Sequence, residues 1–154
     1  MGRGSSGTGG TTRSGDGIPE SETRGGKVYK TRSNGVATLG NNTTNADVMA
    51  TIKNGEFKQR PAVVGDGEYD LGIKVKDGTN YEVNLQVSAS PPGYANNPTG
   101  KWAVLESPSY NKDGEFKFND IKTFNSKESC MEGARKTLAD KYRKSFMYKR
   151  KASK

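Results

Sequence analysis

Residues 68–88 read EYDLGIKVKDGTNYEVNLQVS, and this stretch decides the fold. Tyr69, Leu71, Ile73 and Val75 alternate with Asp70, Gly72, Lys74 and Lys76. After Asp77-Gly78-Thr79-Asn80 the alternation resumes, with Tyr81, Val83, Leu85 and Val87 against Glu82, Asn84, Gln86 and Ser88. Successive side chains on a strand point to opposite faces, so each run has one apolar and one polar face. Two such runs around an Asp-Gly turn predict an antiparallel hairpin, buried on one side and wet on the other.

Downstream, residues 88–100 (SASPPGYANNPTG) interrupt the sheet, because Pro91, Pro92 and Pro98 donate no ladder hydrogen bond. This loop is read as a connector; the alternative makes it a partner-binding loop carried by its one aromatic, Tyr94. A second hairpin follows. Trp102 and Val104 share one face and Ala103 and Leu105 the other; Asn111-Lys112-Asp113-Gly114 form the turn, and Phe116 and Phe118 return in phase. Ile121 and Phe124 fall out of that phase, which predicts a bulge or bend near Asn119 and Asp120. A helix comes next, capped by Asn125 or Ser126. Met131, Ala134, Leu138, Tyr142 and Phe146 make one apolar stripe at spacings of three and four. Gly133 costs this helix roughly 1 kcal/mol relative to Ala, and is read as a point where the helix sits close to the sheet.

Upstream the signal weakens. Residues 27–31 (KVYKT) and 35–39 read as short strands. Residues 46–53 read as a helix capped by Thr44 or Asn45 and stopped at Gly55, in preference to a strand ending in the Asn54-Gly55 turn. In residues 1–26 nine positions are Gly, and only Met1 and Ile18 are large and apolar. Such a segment buries too little to offset the entropy of ordering it. The expected organisation is therefore a disordered Gly/Ser-rich N-terminal arm (1–26), a single α+β domain (27–148, with 27–64 weakly defined) and a basic tail (149–154). In the domain, an antiparallel sheet of two or more hairpins, four strands in its simplest form, packs against one C-terminal helix.

The chain has 154 residues, a mean hydropathy of −0.92, one Cys and no His. Without His, no Ser-His-Asp triad, Cys-His pair or zinc finger can be assembled from it. A single Cys closes no internal disulfide. No apolar run approaches the ~18 residues that span a bilayer, and the N-terminus does not read as a signal peptide. The formal charge of +8 is unevenly placed. Residues 1–125 carry fifteen bases and fourteen acids, whereas residues 126–154 carry ten bases and three acids.

That C-terminal excess is the main functional signal. Arg135, Lys136, Lys141, Arg143, Lys144, Lys149, Arg150 and Lys151 lie off the apolar stripe or beyond it, interleaved with Tyr142, Phe146 and Tyr148. A basic helix face running into a basic tail can follow phosphates and release counterions. Two other readings compete: a solvated helix face with a frayed end, and contact with an acidic surface, either on a partner or on the chain's own Asp66, Glu68 and Asp70. Enzymatic chemistry is the weaker option. Asp66, Glu68 and Asp70 project from one strand face and could in principle hold Mg²⁺ or Ca²⁺, but a solvated sheet face explains them better. Glu115-Phe116-Lys117 has the Glu-x-Lys spacing of some metal-dependent nucleases, a spacing that a wet strand produces by chance. Cys130, without a His partner, reads as a small semi-buried thiol. Trp102 and the Phe pair could stack on bases, yet they alternate as core residues do. No catalytic residue, metal or cofactor is assigned.

Two resemblances add to this. The opening MGRGSSGTGG is similar to the Gly/Ser-rich starts of small accessory proteins encoded by phages and prophages. The run from Trp102-Ala103-Val104 to Lys122-Thr123-Phe124-Asn125-Ser126-Lys127-Glu128 resembles the strand–strand–helix pattern of small modules, among them the arm-type DNA-binding domains of phage integrases. They imply a mobile-element, nucleic-acid setting and carry no residue roles. The expectation is a non-enzymatic, cytoplasmic protein (in the host cell, if phage-encoded) that contacts nucleic acid or a nucleic-acid-bound protein, with no membrane partner. The alternative is a protein-interaction module, such as an inhibitor of a host nucleic-acid-handling or defence factor, or a minor virion component.

Overall fold

The computed structural model describes residues 18–153, except 107, 111 and 119, and describes the backbone alone at 108–109 and 116–118. The hairpin of residues 68–88 is its centre. Strands β3 (Tyr69–Lys76) and β4 (Glu82–Ser90) pair in antiparallel register, Leu71 opposite Val87, Ile73 opposite Leu85 and Val75 opposite Val83. Directly opposed residues share a face, so the two apolar rows merge. Leu71, Ile73, Val75 and Val87 are buried, each contributing about 1.5–3 kcal/mol of transfer free energy.

The sheet has six strands rather than the four of the simplest form. β1 (Val36–Leu39) and β2 (Lys58–Gln59) lie along the free side of β3. β1 runs parallel to β3, with Val36 opposite Gly72, and β2 runs antiparallel, with Lys58 opposite Asp70. Beyond β4 come β5 (Trp102–Leu105) and β8 (Ile121–Phe124), paired with each other. The outer part of this second hairpin is a separate ribbon of β6 (Pro108–Tyr110) and β7 (Phe116–Phe118). The expected bend near 119–120 coincides with the break between β7 and β8; Asn119 itself, like the turn residue Asn111, lies outside the described residues.

Helices cover the apolar face. A parallel β1–β3 pair needs a crossover, and α2 (Asn45–Lys53) supplies it. Its N-cap is Thr44, whose hydroxyl accepts from the Asp47 amide while Asp47 accepts from the Thr44 amide. Val48, Met49 and Ile52 join the core. Residues 27–31 are not the strand their composition suggests. Their backbone runs beside α2, where the Lys27 amide donates to Asp47 and the Tyr29 amide to Thr51. Side chains of a helix thus satisfy amides that a sheet would otherwise take.

Ordered structure also begins earlier than the arm boundary at 26. Ile18 is buried in the core, and α1 (Glu20–Thr23) packs on α2. The remainder of the arm, 1–17, lies outside the described residues.

Helix α3 (Lys127–Arg143) starts at Ser126, which forms a reciprocal cap with Ser129. Cys130, Ala134, Leu138 and Tyr142 are fully buried against β4, β5 and β8. Cys130 lies deeper than a semi-buried thiol, and burial pushes it up to about 12. The folded protein at pH 8 will therefore resist a thiol-specific reagent and react only after denaturation. Native-state labelling at the rate of a free thiol would contradict this packing.

Candidate nucleic-acid interface at the C-terminal helices

The tail expected at 149–154 is a second helix. α3 ends at Lys144, Ser145 caps the next turn, and α4 (Phe146–Ala152) folds back onto the body. A seven-residue helix has little stability of its own, so its inner side must supply it. Met147 is fully buried, and Tyr148 meets Tyr142 edge-on at 5.8 Å. Asn45 joins the pieces: its amide donates to the Tyr148 carbonyl at 2.9 Å, and its carbonyl oxygen accepts from the Tyr142 hydroxyl at 2.7 Å. Burial holds that phenol above its ordinary range, which keeps it a donor.

Four of the eight bases assigned to a polyanion surface are occupied internally. Lys151, read as tail, is 8% exposed, and its ammonium donates to the Thr43 carbonyl at 2.7 Å and hydroxyl at 3.0 Å. Arg150 pairs with the buried Asp77 in the β3–β4 turn and lies 3.7 Å over the Tyr81 ring centre. Arg143 bridges Glu22 of α1 and Asp140 of its own helix. Arg135 donates to Glu132 and to the Gly55 carbonyl, and packs on Phe57. The charge count could not reveal the longer contacts, because Thr43, Asp77, Glu22 and Gly55 all lie on other parts of the chain.

The others differ. Lys136 is exposed but sits 3.8 Å from Asp140, which also holds Arg143, so the outward strip of α3 is close to neutral. Lys141, Lys144 and Lys149 make no ion pair with any described residue. Lys144 and Lys149 are exposed and Lys141 is half-buried. Lys141 and Lys144 are neighbours at the end of α3, where a helix dipole favours cations. On α4, Phe146, Lys149 and Arg150 are spaced three and four apart and share the outer side, opposite Met147 and Lys151. Lys154 lies outside the described residues.

Two aromatics assigned to the core are instead half-exposed here. Tyr81 is 44% and Phe146 50% accessible, with ring centres 6.4 Å apart. Tyr81 lies one residue before β4, and Phe146 lies past the break that ends α3, on the first turn of α4. Periodicity gives the phase of a residue and not the extent of the surface that covers it.

Below this corner is a cavity of about 230 Å³ lined by Asn42, Thr43, Thr44, Asp77 and Lys151. Its lining residues all carry polar groups, and it is open enough for water. Replacing Lys151 by Met removes two hydrogen bonds that water can partly restore, so the expected loss is about 1–2 kcal/mol. A lower urea midpoint at unchanged slope checks this; no change would show that the ammonium does not anchor α4.

Tyr94 is half-buried. The loop around it is organised by the buried Asn97, whose amide donates to the carbonyls of Ser90, Pro91 and Lys101. Glu68 and Asp70 are likewise not a solvated face. They are buried, and Arg60 covers them, 3.2 Å from Glu68 and 2.7 Å from Asp70. Among the described residues no three Cys, Asp or Glu side chains gather as a metal site, and no helix is long and apolar enough to cross a membrane. Compared with family models, curated proteins and solved structures, the chain gives no match.

Proposed function

We propose that this is a non-enzymatic protein that binds nucleic acid, or a complex containing it, through the corner formed by the end of α3 and the outer side of α4. One observation carries the reading: Lys141 and Lys144 at the end of α3 and Lys149 on α4 make no ion pair with any described residue, while Arg135, Lys136, Arg143 and Arg150 are paired. Uncompensated cations held on ordered helices give a polyanion more than the same charges on a frayed tail, since less ordering remains to be done on binding. The contact set is Lys141, Lys144, Lys149 and the half-exposed Arg150, and not the whole eight-residue strip.

The test is a binding titration at two salt concentrations. Phosphate contacts by the three lysines, Arg150 being already paired with Asp77, give a log–log salt slope near about −2.7 on duplex DNA. Lys144→Glu/Lys149→Glu, both at exposed positions, will lower affinity by about tenfold or more and flatten the slope by about two units. Absence of salt-sensitive binding in the unmodified protein, or an unchanged double variant, rejects the reading.

A second reading, a protein-interaction module, draws on a different place. Val63 and Val64 stand exposed on the loop 61–66, and Gly65 of that loop lies against Gly93 of the proline-containing loop. Two adjacent exposed valines offer apolar surface that a protein partner would bury. A stoichiometric protein partner that survives nuclease treatment and is lost in Val63→Asp/Val64→Asp would favour it.

A further inference from the structure

We infer that Phe146 and the Tyr81–Arg150 pair form a stacking platform for unpaired bases, so that the polymer bound at this corner is single-stranded nucleic acid. The inference rests on the polyanion reading above and names its substrate class.

Three features support it. First, the planes are exposed where the cations are. Phe146 shares the outer side of α4 with Lys149 and Arg150, and Lys144 precedes it by two residues. Phosphates and bases alternate along a strand, so a site for single strands needs cations beside π-faces. Second, the platform is fixed before binding. Asp77 is 4% exposed and holds the Arg150 Nε, while the guanidinium lies flat enough on Tyr81 to come within 3.7 Å of its ring centre. Tyr81 is itself anchored, its carbonyl accepting from the Asp77 amide at 3.0 Å. The Arg150 side chain still keeps 36% of its surface, so one side of the guanidinium rests on Tyr81 and the other can meet a base. Third, the nearby acids do not repel a phosphate chain. Asp77 is neutralised by Arg150, and Glu82 lies 3.8 and 4.0 Å from Lys74 and Lys76. A duplex keeps its bases stacked on one another and has no free faces for such a platform, whereas a single strand does.

The experiment uses the full chain and fluorescence anisotropy. The probes are a mixed-sequence single strand, the corresponding duplex, and heparin, a polyanion without bases. The single strand should bind more tightly than the duplex. Phe146→Leu keeps the apolar bulk and removes the π-plane; it and Tyr81→Leu should each weaken single-strand binding by about tenfold and leave duplex and heparin binding unchanged. Phe146→Trp should retain or improve it. Both positions are half-exposed, and a thermal melt confirms that the variants fold. Salt-sensitive binding with equal affinity for single strand and duplex, or with Phe146→Leu unchanged, overturns the stacking platform and leaves the polyanion corner standing. A stoichiometric protein that occupies Phe146 in place of an oligonucleotide overturns it too. Absence of binding to all three probes rejects both readings together.

Discussion

Replacing Gly133 by Val will destabilise the protein by about 3 kcal/mol, the upper range for overpacking a tight core. A Cβ at this position would overlap the end of the Phe124 ring, with three ring carbons inside or at the limit of contact. Phe124 stands on β8, so at Gly133 helix α3 rests directly on a side chain of the sheet. Helix propensity argues the other way: Gly is about 1 kcal/mol worse than Ala in a helix interior. The two effects separate in a double-mutant cycle. In the unmodified background Gly133→Ala should cost stability, because the ring must move. In a Phe124→Ala background the same change should become stabilising, by up to about 1 kcal/mol, as propensity alone remains. If Gly133→Ala stabilises in both backgrounds, the glycine is not there for Phe124.

This glycine was also one of the more legible features of the sequence: an unfavourable residue inside a strong apolar stripe needs a reason, and close packing is the commonest. The hairpin was legible for a similar reason. One buried face leaves a period-two trace through Leu71, Ile73, Val75, Val83, Leu85 and Val87. The pieces that escaped lack such a trace. β1 has only Ala37 and Leu39 to bury, and its parallel pairing with β3 depends on residues more than thirty positions away. Residues 27–31 have strand composition, but their amides go to Asp47 and Thr51. α4 hides its inner side in two residues, Met147 and Lys151, and one of those is a lysine. The basic end of the chain was legible in the sequence, but which of its bases are paired within the fold was not. Four of the expected bases are engaged across long sequence separations, Lys151 by Thr43, Arg150 by Asp77, Arg143 by Glu22 and Arg135 by Gly55, and Lys136 by the nearer Asp140.

The Arg60 cluster shows the same limit and makes the second large prediction. Two acids spaced by two on a strand look alike whether the face is wet or covered. Here β2 brings Arg60 opposite Glu68, continuing the ladder with an amide-to-carbonyl bond of 2.8 Å. Its guanidinium then reaches both carboxylates, and Ser88 donates to Asp70 at 2.7 Å. Burial first, and Asp70 second, hold Glu68 above the usual carboxylate range even with Arg60 in place. Hydrogen bonding to Asp70 is in turn the main influence raising Arg60. Arg60→Met keeps much of the side-chain bulk and leaves two buried acids facing each other with only hydroxyl donors. Breaking a fully buried pair costs about 3–5 kcal/mol. Arg60 is itself 55% exposed, so solvent already screens the contact and about 2–3 kcal/mol is expected at pH 7. The defect has a pH signature. With Arg60 gone, the folded-state value of Glu68, already raised by burial, rises further above that of the unfolded chain, about 4. The folded variant then binds protons more tightly than the unfolded chain, so its stability increases as pH falls through the raised folded value. The stability gap between the variant and the unmodified protein should therefore be widest at pH 7 and narrow toward pH 5. Urea melts across that range measure it. A gap that stays constant with pH would mean that Arg60 contributes through packing and not by neutralising the two acids, and a gap that widens toward pH 5 would reverse the assignment altogether.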